Sequence, residues 1–138
     1  FGMEENLQLT GAYKDRMKFR LAETYLLLAE AYLRQDMPDK AADAVNEVRR
    51  RAKVSDVSDE EMTMDFLLDE RIRELYGEVS RRFTLIRTGK LLERVRKYNP
   101  EARDLIQDFH VLWPIPQAIR DANVGNFPQN PGYEGYEG

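Results

Sequence analysis

Met64 to Leu92 reads MDFLLDERIRELYGEVSRRFTLIRTGKLL. Met64, Leu68, Ile72, Leu75 and Val79 recur at steps of three or four, so they line one face of a helix. Arg71, Glu74, Glu78 and Arg82 recur the same way, on a second stripe that borders the first. A charged row beside an apolar one belongs where a helix meets its neighbours. Glu74 and Glu78 are like charges four apart, mildly unfavourable in an isolated helix. Arg71 and Arg82 bracket them and can offset the repulsion. An ion-pair network that sets how helices meet, with little net stabilisation, accounts for this stripe better than a catalytic or binding role. Gly77 costs about 1 kcal/mol against Ala in a helix interior, which predicts a break or a close contact between Gly77 and Ser80. A second helical piece then carries Phe83, Leu85 and Ile86. Thr88-Gly89 ends or bends it, and Lys90 to Lys97 continues with Leu91, Leu92 and Val95 until Asn99-Pro100 stops the run.

Upstream, Phe1 to Asp15 is polar and reads as a loop or extended entry. Arg16 to Gln35 has helical spacing, with Tyr25, Leu28, Ala29 and Tyr32 on one face. Pro38 disfavours helix at Met37 and suits the first turn of the next helix, so Asp36 to Asp39 is a turn. A second helix follows to Ala52, with Ala41, Val45, Val48 and Ala52 inward. Tyr25-x-x-Leu28-Ala29-x-x-Tyr32 followed by Ala41-x-x-x-Val45 resembles one tetratricopeptide repeat without its trailing Pro. Ala29 and Ala41 are small where two helices approach closely, and the larger residues fill the space around them. A lone repeat of this kind leaves a face of the Tyr25 or Val45 helix uncovered. Leu21, Leu26, Leu27 and Leu33 add apolar surface to it. The hairpin is therefore expected to self-associate or to lean on further upstream chain. Lys53 to Met62 reads as a polar connector, with Ser58-x-x-Glu61 as a capping box and Thr63 as an alternative cap for the main helix.

Beyond Glu101 regular structure thins. Asp104 to Phe109 has room for one short helical turn. His110 to Pro116, HVLWPIP, alternates prolines with apolar residues and reads as extended. Pro116 suits the first turn of a short helix over Gln117 to Ala122, and the Gly- and Pro-rich run from Asn123 is irregular.

Asp69-Glu70-Arg71, Glu74-Leu75, Glu78, Arg81-Arg82-Phe83, Leu85 and Arg87-Thr88-Gly89 resemble the C-terminal signature of the SusD/RagB family, roughly DER…EL…E..R(W/F).DL.R.G. Thr84 stands where that pattern has Asp, and Val79 where it often has Gly; both departures are small. The HVLWPIP segment and Gln129-Asn130-Pro131-Gly132-Tyr133 resemble the ends of the same proteins, so the likeness runs from about Arg20 to Tyr133. What it implies is an all-α fold of the α/α superhelix type: a tetratricopeptide-like hairpin at 20–52, charged signature helices at 63–98 and an irregular C-terminal wrap at 99–138. It also implies nutrient capture, of a glycan above all, at the outer-membrane surface of Bacteroidetes. The implied partner is a SusC-like TonB-dependent transporter, and the implied attachment is a lipid anchor outside this segment. The other reading from the residues is a protein-interaction module that docks a partner through the hairpin.

The composition narrows the chemistry. The chain has 138 residues, 42% hydrophobic, with a formal charge of −4, which gives no electrostatic reason to expect nucleic acid. The basic clusters at Arg49 to Lys53 and Arg94 to Lys97 fall near helix ends, where cations suit the dipole. No cysteine is present, so disulfides, thiol catalysis and lipid attachment through this stretch are excluded. No run of about 18 apolar residues is available to span a membrane. The stretch starts at Phe1 without a secretion signal, and the expectation is a piece of a longer chain.

Thr88-Gly89-Lys90 lacks the first Gly and the trailing Ser/Thr of a phosphate-binding loop. His110 is the one histidine, so no His-pair metal motif forms, and beside Phe109 and Trp113 it reads as packed or surface-exposed. Carboxylate pairs such as Asp69/Glu70 and Glu60/Glu61 come with no nucleophile or metal pattern, and no serine sits in a G-x-S-x-G setting. The expectation is therefore no catalytic residue, no metal and no cofactor. Trp113, amid Pro and apolar residues, reads as a core anchor ahead of a ligand contact. Tyr13, Tyr133 and Tyr136 lie in loops and are freer to meet a ligand. No residue is assigned to ligand binding.

Overall fold

Two short helices carry the smallest side chains of the chain at matching positions, and these let them touch. Helix α1 is Leu21–Leu33 and α2 is Pro38–Arg51. Ala22, Leu26 and Ala29 of α1 meet Ala41, Ala42, Val45 and Val48 of α2, all of them buried. Pro38 stands in the first turn of α2 with Asp39, and Arg49 to Arg51 fill its last turn, as the macrodipole favours. The computed structural model describes residues 19–136, and the described residues are all-α, with no strand. The expected loop at 1–15, the start of the expected helix at Arg16 and Tyr13 lie outside the described residues. Two compact units divide the chain between Val79 and Ser80, a boundary inside the 63–98 stretch.

The core side of α1 is set by Leu26 and Ala29, while Tyr25 and Tyr32 sit half-buried at its rim. Leu28, placed by spacing with Ala29, is exposed, and so are Leu21 and Leu27. Ala52 was expected inward; it caps α2 and is exposed. Because Ala29 has no exposed surface, Ala29→Leu is expected to overpack the α1/α2 contact and cost about 1–3 kcal/mol. Urea melts of mutant and parent decide it, and an unchanged midpoint would show that the contact yields freely.

The connector after α2 holds more than polar residues. Val57 and Met62 are buried in the core. Asn46, itself buried on α2, donates from Nδ2 to Val57 O at 2.9 Å and accepts the Val57 N–H on Oδ1 at 2.8 Å. One side chain thus satisfies both backbone groups of a buried loop residue, which otherwise go unpaired at a cost. The Ser58/Glu61 box forms reciprocally, but across a turn. Thr63 is the cap that starts α3, accepting the Phe66 N–H at 3.1 Å.

Helix α3 is Met64–Glu74, and it packs on α1. Its buried residues are Leu67, Leu68, Glu70 and Arg71, followed by the buried cap Leu75, with Met64 half-buried; Ile72, placed inward by periodicity, is 43% exposed. The face is rotated toward Arg71, which reaches Glu23 of α1 at 3.6 Å. The helix ends earlier than expected. Leu75 leaves helical geometry at φ −113, ψ 23, and Gly77 takes φ +76 in the following turn, a conformation glycine adopts without penalty. Glu78 and Val79 therefore lie off the helix, although Val79 still packs against the core.

In the second unit, α4 is Arg81–Arg87 and α5 is Leu91–Tyr98. Leu85 and Leu91 are buried. The α4 end is closed by Lys90 N–H bonding Leu85 O at 2.8 Å and Gly89 N–H bonding Ile86 O at 3.0 Å, the paired pattern of a Schellman end. A 3₁₀ turn at Asp108–Val111 and the short α6, Gln117–Asp121, follow. The remainder to residue 136 is irregular.

Candidate functional site

The signature charges of the first unit converge on the hairpin. Arg20, extended at the start of α1, donates from Nη1 to Glu74 Oε1 and from Nε to Glu78 Oε2, both at 2.5 Å. Its Nη2 also donates to the Glu74 main-chain oxygen and to Glu78 Oε1. That bond to Glu74 O satisfies a carbonyl at the end of α3 that has no helical partner. Glu78 first, then Glu74, raise the Arg20 pKa above the ordinary arginine value by bonding its charged form. Arg51 reaches the same Glu74 oxygen at 2.6 Å. Glu70 accepts from Arg49 at 2.8 Å and Arg73 at 2.6 Å. Arg71 and Arg82 were expected to neutralise Glu74 and Glu78. Arg20 and Arg51 do so instead, because α3 stops at Glu74 and Arg82 belongs to α4 of the other unit. The stripe joins helices, as its spacing suggested, through partners some 20 to 60 residues distant.

In the second unit, three side chains near the chain's end hold one extended segment. Gln129 is buried; its Nε2 donates to Ile115 O at 2.9 Å, and its Oε1 accepts the Ile115 N–H at 2.7 Å. Asn130 Nδ2 donates to Trp113 O at 2.7 Å. The Tyr133 hydroxyl donates to Leu112 O at 2.9 Å. Arg120 gathers the rest, donating to Phe127 O and Gly135 O, each at 3.1 Å. Gln-Asn-Pro-Gly-Tyr is thus a set of side chains aimed at the main chain of Leu-Trp-Pro-Ile, replacing strand pairing where prolines forbid it.

That segment does not sink its tryptophan. Trp113 is 56% exposed, contrary to its reading as a core anchor. The Arg82 guanidinium lies over its ring at 4.3 Å from the centroid, while Arg82 Nη2 donates to His110 O. His110 is half-buried; its Nδ1 accepts the Gln107 N–H at 2.8 Å, and its ring lies 4.2 Å from that of Phe109. Tyr133 packs edge-on to Phe109 at 4.9 Å and is committed to structure, whereas Tyr136 stays exposed.

The remaining constellations resolve into structure. Thr88 Oγ1 donates back to Thr84 O at 2.8 Å, so the Thr-Gly-Lys sequence is a helix end. Arg50 pairs with Asp56 and Glu47, and Arg96 with Asp108, so these members of the basic clusters are neutralised locally. Among the described residues no group of three or more His, Cys, Asp or Glu is placed to hold a metal ion. No helix among them is long and apolar enough to cross a membrane.

The family model described as the SusD family matches residues 4–133. The chain belongs to the SusD family. This SusD-family chain is 36% identical over 113 residues to a SusD-like protein of Formosa agariphila, an alignment covering 74% of the chain and 21% of the relative. It is 35% identical over 125 residues to the starch-binding protein SusD of Bacteroides thetaiotaomicron, covering 84% of the chain and 21% of that protein. The chain spans about a fifth of the length of the curated relatives it matches. No solved structure is a significant match. The residues that carried the family resemblance are those described above: Glu70, Arg71, Glu74 and Glu78 in the interhelical ion pairs, and Gln129 to Tyr133 in the clasp on the extended segment.

Proposed function

We propose that this chain serves glycan capture at the outer-membrane surface, by binding without chemistry, beside a SusC-like TonB-dependent transporter and held to the membrane by a lipid outside this segment. The carrying observation is the family match over residues 4–133, joined to 35% identity with a relative named as starch-binding. Calorimetric titration of the chain with maltoheptaose and with oligosaccharides of β-glucan, xylan and alginate tests it. The expected result is saturable binding of one class and recovery of that sugar unchanged. Absence of binding across the panel would overturn the glycan reading for this chain, and turnover of the sugar would overturn the non-catalytic one.

A second reading draws on the hairpin. A groove of about 410 Å³ there is lined by Leu21, Tyr25, Glu47, Val48 and Arg51, and it fits a protein partner docking on α1 and α2. Co-purification with a transporter that survives loss of sugar binding supports this reading over the first.

A further inference from the structure

We propose that His110 is a pH-sensitive latch: its neutral imidazole closes the Asp108–Val111 turn, and protonation opens that turn and releases Arg82 from the His110 carbonyl and the Trp113 ring. This goes beyond glycan capture and does not depend on it. His110 is the one histidine of the sequence. Its Nδ1 accepts the Gln107 N–H at 2.8 Å, and its own N–H donates to Gln107 O at 3.0 Å. The Gln107 side chain accepts from the His110 main chain in return, which completes a capping box. The His110 carbonyl accepts from Arg82 Nη2, and the same guanidinium lies 4.3 Å from the centroid of the Trp113 ring. One residue thus joins the closure of the turn to the arginine beside the tryptophan.

A neutral imidazole has one N–H and one acceptor nitrogen, whereas a protonated one has two N–H groups and no acceptor. Histidine is the side chain whose ordinary charge change falls between about pH 5 and 8. A proton on Nδ1 turns the Gln107 bond into two donors facing each other. Ring rotation is hindered, because the imidazole lies 4.2 Å from the Phe109 ring and 6.3 Å from that of Tyr133. The change therefore falls on the main chain of the turn, and with it on the carbonyl that holds Arg82. The charges around the turn act in the same direction. Arg82 of α4 is bonded to His110 itself. Arg96 of α5 takes Asp108, the carboxylate of the turn, at 3.2 Å, and that carboxylate is 88% exposed. Arg94 and Lys97 of α5 lie over Tyr98, and Tyr133 of the clasp gives its hydroxyl to Leu112 O. The new positive charge thus arises beside cations, with its one neighbouring carboxylate already engaged.

One histidine and one tryptophan give each end of the latch its own signal. The full chain is taken from about pH 8 to about pH 5, the range in which histidine titrates, with the imidazole proton resonances and the tryptophan emission read together. The expected result is a single-proton step with one midpoint in both signals. Across it the emission shifts to the red and acrylamide quenching rises, as the guanidinium leaves the ring, while the far-ultraviolet circular dichroism stays constant. His110→Gln keeps an acceptor oxygen at the same position of the capping box, and that oxygen does not titrate. This variant is expected to match the parent's emission at the alkaline end and to hold it flat to the acid end. Emission that stays flat in the parent overturns the proposal, and so does an emission midpoint that differs from the imidazole midpoint. A step that persists in His110→Gln overturns it by giving the transition to another group. Loss of far-ultraviolet signal along with the emission step gives the transition to general unfolding and overturns it as well. Should His110→Gln fail to fold, the agreement of the two midpoints in the parent decides alone.

Discussion

Arg20→Met is expected to lower the unfolding free energy of the chain by about 2–4 kcal/mol. Breaking a fully buried pair costs about 3–5 kcal/mol, and exposed pairs are worth about 0–1. This cluster lies between those limits: the Arg20 side chain is 20% exposed, Glu74 11% and Glu78 40%. Removing Arg20 leaves Glu74 with Arg51 alone, leaves the Glu74 carbonyl unbonded by Arg20 and leaves the two carboxylates facing each other. Urea unfolding of mutant and parent measures the loss. Adding Glu78→Gln to Arg20→Met should cost less than the sum of the two single changes, since groups that share a network do not act additively. A loss under about 1 kcal/mol would mean the cluster behaves as surface pairs do. The arginine at stake is not the one that spacing suggests. Arg71 is turned to Glu23, so Arg71→Met leaves the Arg20 pairs of Glu74 and Glu78 in place.

Gly132→Ala is expected to destabilise the second unit by about 2–4 kcal/mol. Gly132 sits at φ +86, and a Cβ there would stand 2.2 Å from Phe109 Cγ and 2.5 Å from its Cδ1. Both penalties apply together: a left-handed backbone that L-residues resist, and a ring that has to move. Phe109 cannot shift alone, because it packs on His110 and Tyr133. Tyr133 in turn holds Leu112 O, so the Trp113 segment should loosen as well. Near-ultraviolet circular dichroism and a urea melt read the effect. Gly125→Ala is the control: nothing lies within 4 Å of its Cβ and its φ is not positive, so a change within about 0.5 kcal/mol is expected. Equal behaviour of the two mutants would show that Phe109 yields without loss.

Helix positions were legible because they depend on neighbours in the chain. Thr63 caps α3, Pro38 opens α2 and Pro116 precedes α6, each where local chemistry puts it. Ala29 and Ala41 announced a close helix contact and lie buried in one. The errors share a different origin. Ile72 and Arg71 are neighbours in sequence that project about 100° apart around the helix, and apolarity alone picks the isoleucine. The choice went to arginine because Glu23 of α1 stands opposite it. Asn46 gave no signal, since a lone amide resembles any surface residue, and Gln129 stood out only as part of the family resemblance over Gln129 to Tyr133, with nothing to mark it as buried. Each is buried because a loop main chain, Val57 or Ile115, arrives beside it with an unpaired N–H and C=O.

By its sequence this chain determined an all-α fold, the helical hairpin, the charged joint and the family to which it belongs. These follow from periodicity, caps and motif spacing, all of which act within a few residues. Tertiary structure alone decided which arginines neutralise Glu74 and Glu78, and whether Trp113 faces inward or out. Those outcomes depend on contacts between residues tens of positions apart, where burial, charge pairing and main-chain hydrogen bonding compete and no local pattern records the winner.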